Sequence, residues 1–214
     1  MALTFRVLSV NLAKAAKIAS KFGLSGIFKL PQNGAVEVSS EGLLGDAIIN
    51  RKHHGGPDQA VYVYTSEDYA WWQDALDMPV PPGTFGENLT ICGLKSAELI
   101  IGDRLECDQL VLEVKSSRIP CRTLALRMQD PGFIDKFKRA ELPGFYCKVL
   151  KPGQVSAGQK GLLLPYEGEK VSILQDFRNF YRLNTLTEME KKRLLNAPIN
   201  AKLRAFLEGK ADSA

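Results

Sequence analysis

The segment SSRIPCR, at residues 116–122, follows directly on the apolar run LVLEV at residues 110–114. The run alternates apolar residues with a single acid and is rich in β-branched side chains, which predicts a strand. Pro120 fixes its own backbone φ angle and restricts Ile119 to an extended backbone. The sequence therefore predicts a strand that ends in a stiff loop.

This loop combines one thiol with two arginines. Cys121 is flanked by Arg118 and Arg122, and nearby positive charge favours a thiolate. A thiolate is a soft ligand for a transition metal, while Arg and Ser side chains suit phosphate oxygens. Two interpretations follow: a site for a metal and an anionic group, or a turn whose thiol is incidental, as a lone cysteine often is.

Short apolar segments separated by turn residues surround this loop. Spacings of about ten residues between such segments are typical of a β-barrel or a β-sandwich. We therefore predict a mainly β fold. The segments lie at residues 3–11, 35–38, 59–64, 104–107, 144–150 and 162–164.

The composition changes after residue 168, where helical signals replace strand signals. Ser172 with Gln175 and Thr187 with Glu190 have the spacing of capping boxes. Two apolar stripes at helical spacing follow. We predict three short helices at residues 166–214 that pack on a β-barrel formed by residues 1–165, or on a second copy of the chain as a homodimer. We expect the barrel to bind its ligand without them. The stripes are Leu174, Phe177 and Tyr181, then Leu203, Phe206 and Leu207.

The charge balance and the cysteine spacing exclude several protein classes. The 214 residues include 28 Lys and Arg and 24 Asp and Glu, a net charge of +4, which does not favour a nucleic acid polymer as partner. The four cysteines form no C-x-x-C pair. The chain shows neither a long apolar run nor the apolar centre of a secretory signal, so we expect a cytoplasmic protein that does not enter membranes.

Both histidines lie in one segment, RKHHGGPD at residues 51–58. Adjacent side chains on a strand point to opposite faces, so His53 and His54 are poorly placed to bind one ion together. A hydrogen-bonded loop histidine is the simpler interpretation of each. No glycine-rich nucleotide fingerprint is present, so electrons for any redox reaction would come from another protein.

Four motifs in this order resemble the MOSC domain, which is found at the C-terminus of molybdenum cofactor sulfurases. They are HGGPD at 54–58, FGENL at 85–89, Gly102 with Asp103, and R-x-P-C at 118–121. The resemblance covers most of residues 25–164 and is strongest to the bacterial YiiM-like subgroup, which also carries three C-terminal helices. It implies a MOSC-type β-barrel with a small C-terminal α-helical subdomain.

The resemblance also implies a cofactor and an activity. Cys121 matches the loop cysteine that binds molybdenum in the molybdenum cofactor (molybdopterin). Ser117 and Arg118 would lie at the phosphate end of this cofactor, with Lys29, Arg51 and Asn88 as further cofactor contacts. His54 and Glu87 are the expected proton-handling residues.

Similar proteins reduce small N-hydroxylated substrates such as hydroxylamino-purines, with electrons from an external donor protein. Two alternatives stay open at this point. Cys121 could carry cofactor or sulfur, as a persulfide, without catalysis, or the chain could be an interaction module.

Overall fold

The computed structural model describes residues 3–19, 23–49 and 55–210. Within these residues, seven strands form a closed β-barrel in the order β13-β9-β10-β11-β7-β8-β1, because β13 pairs back onto β1. The predicted β-barrel is therefore confirmed. The strands of the described chain are β1 Leu3–Leu12, β2 Ala16–Lys17, β3 Leu24–Ser25, β4 Leu30–Pro31, β5 Val36–Ser39, β6 Gly42–Leu43, β7 Val61–Thr65, β8 Leu89–Cys92, β9 Arg104–Cys107, β10 Leu110–Ser117, β11 Phe145–Lys151, β12 Gly153–Val155 and β13 Lys160–Leu164.

Helices lie beside the barrel and at the C-terminal end of the described chain. The predicted capping boxes at Ser172 and Thr187 are both formed, so each of these helices begins where a side chain satisfies free backbone N–H groups. The helices are α1 Ser66–Leu76, α2 Arg122–Arg127, α3 Phe133–Ala140, α4 Ile173–Phe180, α5 Glu188–Asn196 and α6 Ala201–Leu207, with short 3₁₀ turns at Pro57–Gln59, Ser96–Glu98 and Leu183–Thr185.

Strand β7 is buried on both faces. Val61 and Val63 point into the barrel core, while Tyr62 and Tyr64 point outward into a second group of buried side chains. Successive side chains of a strand alternate between faces, so one strand separates the two groups. We name the second group the aromatic cluster; its ring-bearing members are Tyr62, Tyr64, Tyr69, Trp72, Phe85, Phe133, Phe137, Tyr146 and Phe177.

The C-terminal helices share the core of the barrel. Of the two surfaces expected for them, these helices cover the barrel: Val171, Ile173 and Leu194 are buried in the same cluster as the barrel strands. The Lys115 ammonium of β10 also donates a hydrogen bond of 2.6 Å to the carbonyl oxygen of Pro198. The C-terminal helices are therefore part of the barrel core, which argues against a barrel that binds its ligand without them. The boundary after residue 165 stays a prediction.

None of the helices in the described residues is both long and apolar enough to cross a membrane.

Candidate cofactor site

A cleft that is partly open to solvent lies where β10 ends and α2 begins. The residues of its wall come from distant parts of the sequence. Of the predicted site residues, the structure brings Lys29, Asn88, Arg118 and Cys121 together in this wall. Tyr62, Tyr146 and Gln59 also line the cleft, and the sequence analysis had not assigned them to the site.

Cys121 and Arg118 lie in the loop that joins β10 to α2. Strand β10 ends at Ser117, and Cys121 is the residue that precedes the first turn of α2. Cys121 is partly exposed, while the exposed Arg122 turns to solvent and does not line the cleft. The loop therefore presents one thiol and one of its two guanidiniums to the cleft.

The Arg118 guanidinium is buried, with only 4% of the residue exposed. It lies 5.9 Å from the ring centre of Tyr62 and 5.5 Å from that of Phe137. Burial alone would lower the pKa of Arg118, but the negative potential of Cys121 and of the neighbouring tyrosines outweighs it, and the pKa is raised. Arg118 therefore remains a cation inside the protein.

One nitrogen of Arg118, Nη1, is buried and has no hydrogen-bond partner in the described structure. Buried polar groups are normally hydrogen-bonded, and an unpaired buried charge is costly. A guanidinium in the cleft wall with a free donor suits an anionic oxygen of a ligand. The cleft thus fits the phosphate end of a cofactor.

Lys29 lies on the same cleft but forms an ion pair with Asp46. Asp46 also accepts hydrogen bonds from the Asn88 side chain at 2.9 Å and from the backbone N–H of Ala13 at 2.9 Å. Burial lowers the pKa of Lys29, and the charge of Asp46 opposes that effect. The positive charge of Lys29 is therefore largely balanced, and Arg118 is the stronger anion-binding group.

Glu87 is fully buried and does not line the cleft. Its Oε1 accepts hydrogen bonds from the Tyr69 hydroxyl at 2.6 Å, the Gly83 N–H at 2.6 Å and the Thr90 hydroxyl at 2.9 Å. Burial raises its pKa despite these donors. These bonds hold the loop before β8 against α1, and a proton-handling role for Glu87 stays a prediction.

Ser117 lies beside the cleft but not in its wall. Its hydroxyl and its backbone N–H both donate to Oδ2 of Asp176, at 2.8 Å and 2.7 Å. A direct contact between this hydroxyl and a cofactor phosphate would require the first of these bonds to break. The sequence analysis missed Asp176, although its position next to a capping box placed it on a helix.

Two predicted residues, His54 and Arg51, lie outside the described residues, so their roles also stay predictions.

Part of the cleft wall depends on a close backbone contact at Gly26. A Cβ atom on Gly26 would lie 1.7 Å from the carbonyl oxygen of Ala47, and both residues line the cleft. Only glycine allows this approach without a shift of the backbone. The segment around Gly26 and the segment after Asp46 therefore form one wall.

The described residues contain no group of three or more His, Cys, Asp or Glu side chains that could hold a metal ion. A metal bound mainly by its own organic ligand needs few protein ligands, and one soft thiolate suits such a metal. Cys121, the free Arg118 nitrogen and the surrounding cleft thus fit a metal cofactor with an anionic tail.

Comparison with known proteins places the chain in a family. The family model described as the MOSC domain matches residues 50–160, about half of the chain, and the matched range includes the loop with Arg118 and Cys121. The chain belongs to the MOSC domain family.

The relatives of this MOSC protein include the uncharacterized protein YflK of Bacillus subtilis, 35% identical over 97% of this chain and 95% of YflK. A protein named Reductase from Gibberella moniliformis is 33% identical over 70% of this chain but only 27% of its own length. The crystal structure of YiiM from Geobacillus stearothermophilus covers 96% of this chain and 98% of that chain, with a TM-score of 0.80 and 25% identity. The protein is thus a YiiM-like MOSC protein.

Proposed function

We propose that this MOSC protein binds the molybdenum cofactor in the Cys121 cleft and reduces N-hydroxylated compounds with electrons from a partner protein. One observation carries the proposal: a buried arginine with a free nitrogen and a partly exposed thiol share one cleft. The first suits an anionic cofactor end and the second a soft metal.

The residues of the cleft would divide the work as follows. The Cys121 thiolate would bind the metal, and Arg118 would hold the anionic end of the cofactor through a charge-assisted hydrogen bond. The balanced Lys29–Asp46 pair would orient neutral polar groups, together with Asn88, rather than bind phosphate.

The cofactor, when bound, supplies the redox chemistry, while the protein supplies binding and orientation. Reduction of a hydroxylamine takes two electrons and two protons, breaks the N–O bond, and releases an amine and water. Tyr62 and Tyr146, whose ring centres lie 5.0 Å apart, give the cleft an apolar side that would exclude water near the thiol.

The comparisons support the redox class and leave the substrate open. The relative named a reductase is much longer than the part that this chain matches. We infer an external electron donor because the sequence carries no nucleotide fingerprint.

The test is to express the chain in a host that makes the cofactor and to measure molybdenum per chain and pterin fluorescence after oxidation. Reduction of 6-hydroxylaminopurine is then followed with a chemically reduced viologen dye as donor, and Cys121→Ala is the control. Bound molybdenum with turnover supports the proposal. Bound molybdenum without turnover would favour a carrier of cofactor or sulfur, and no molybdenum would favour an interaction module.

A further inference from the structure

Asp176, on the first C-terminal helix, carries a buried carboxylate to which the proposed function assigns no role. Asp176 is only 6% exposed, and the described residues give it no ion-pair partner. Burial raises its pKa, and only the two hydrogen bonds from Ser117 oppose this. Burying a carboxylate costs free energy, and the hydrogen bonds that it accepts offset part of that cost.

Both of these bonds end on a residue next to the cleft. Ser117 is the last residue of β10 and immediately precedes Arg118. Its backbone N–H and its hydroxyl both donate to one oxygen, Oδ2, of Asp176. Since two bonds are needed to fix a direction as well as a distance, the backbone at Ser117 is held in place and orientation.

The stiff loop after β10 transmits the fixed position of Ser117 to Arg118. Arg118 follows Ser117 directly, and Pro120 limits the backbone freedom between Arg118 and Cys121. A displacement at Ser117 therefore moves the Arg118 guanidinium. A second tie lies two residues earlier, where the Lys115 ammonium donates to the Pro198 carbonyl oxygen. Helix α4 and the segment before α6 therefore both hold the end of β10 that leads into the cleft.

The far end of α4 is also within electrostatic reach of Arg118. Tyr181 follows the last residue of α4, and burial raises its pKa to about 12 while the positive charge of Arg118 acts in the opposite direction. Phe177, between Asp176 and Tyr181, is buried in the aromatic cluster that contacts Arg118. One face of α4 thus lies along the Arg118 side of the cleft.

We propose that Asp176 is a positioning residue: through Ser117 it holds Arg118 where its free nitrogen meets the anionic ligand, which makes the C-terminal helical segment part of the cofactor site. This inference rests on the proposed function for the nature of the ligand. The structural part of the inference, that Asp176 fixes the loop, does not depend on the proposed function.

The experiment uses the full chain with Asp176→Ala, Asp176→Asn and Ser117→Ala. In cofactor-free protein, hydrogen–deuterium exchange of residues 117–122 is measured by mass spectrometry. In loaded protein, the rate of molybdenum loss is measured during gel filtration at intervals. We expect Asp176→Ala to raise exchange in this segment and to speed cofactor loss at least tenfold.

The conservative variant separates positioning from general stability. Both bonds from Ser117 end on one oxygen, so the amide oxygen of Asp176→Asn can accept both, and we expect its rate of cofactor loss to stay within about threefold of the parent. Ser117→Ala keeps the backbone bond and should fall between the two. In an Arg118→Lys background, Asp176→Ala should have a clearly smaller effect on cofactor loss. If Asp176 acts through Arg118, the effects of the two substitutions are not additive.

Asp68→Ala is the matched control, because Asp68 is another buried acid that accepts a serine hydroxyl, that of Ser96, away from the cleft wall. It should lower the melting temperature but leave exchange at 117–122 and cofactor loss unchanged. The inference is overturned if Asp176→Ala leaves exchange unchanged, or if cofactor loss stays within twofold. If no form of the protein carries molybdenum, the proposed function fails, and exchange alone decides whether Asp176 fixes the loop.

Discussion

Ser117 and Asp176 are joined by two hydrogen bonds, although 59 residues separate them in the sequence. One residue precedes the arginine of the cleft and the other belongs to a C-terminal helix. The helical segment therefore does more than cover apolar surface of the barrel. It reaches the backbone of the loop that carries Arg118 and Cys121.

We expect Cys121→Ala to lose bound molybdenum and turnover while the fold stays intact. The side chain is partly exposed, so its packing contribution is small, about 1 kcal/mol or less. Molybdenum analysis and a melting curve check this. Cys92→Ala, a partly exposed cysteine of β8, is the control and should retain both. Full metal content in Cys121→Ala would remove this residue as the ligand.

Arg118→Met should weaken cofactor binding more than Arg122→Met. Arg118 is buried in the cleft wall with a free nitrogen, whereas Arg122 is exposed outside it. A charge-assisted hydrogen bond contributes about 1.5–3 kcal/mol, which corresponds to roughly a 10- to 150-fold loss of affinity. Cofactor retention measured for both variants provides the test, and equal retention would exclude Arg118 as the anion-binding group.

Removing the chain after residue 165 should prevent stable folding. The truncation deletes buried side chains that complete the barrel core, and the exposed surface left behind favours aggregation. Circular dichroism and size-exclusion chromatography of the truncated chain test this. A soluble, folded product would show that the barrel core closes without these side chains. They include Val171, Ile173, Leu186, Leu194, Ala197 and Ile199.

Asp68→Asn should become more stable relative to the parent as the pH rises from 4 to 7. Burial raises the pKa of Asp68 to about 6 from 3.8, so the folded state binds a proton more tightly than the unfolded state. Stability due to this group is therefore lost as the pH rises between these values, by at most about 3 kcal/mol. Urea unfolding at several pH values measures the difference, and a pH-independent difference would contradict it.

Gly26→Ala should disturb the cleft wall, because its new Cβ would collide with the Ala47 carbonyl oxygen. Overpacking of this kind costs typically 1–3 kcal/mol. Gly132→Ala is the control: like Gly26 it is not at positive φ, it lies outside the cleft wall, and the nearest atom to its new Cβ, Oδ1 of Asp130, is 3.3 Å away. Melting curves and cofactor retention compare the two. Retention that falls equally in both would contradict a specific role for Gly26.

Local pattern sufficed for much of the fold. The alternation at residues 110–114 predicted β10, and the spacing of Ser172 and Gln175 predicted the start of α4; both are present. These predictions succeed because strand alternation and helix capping depend on residues within a few positions of each other.

The sequence by itself thus determined the β-segments, the helix starts and the loop that joins a thiol to an arginine. Tertiary structure decided how the charges around that loop are satisfied: Lys29 is paired by Asp46, Glu87 is buried away from the cleft, and Ser117 is held by Asp176. The physical reason is that each of these outcomes depends on contacts made only when the barrel closes and the helices pack on it. A sequence pattern records which groups can form a bond, but their partners are set by which surfaces the closed fold brings together.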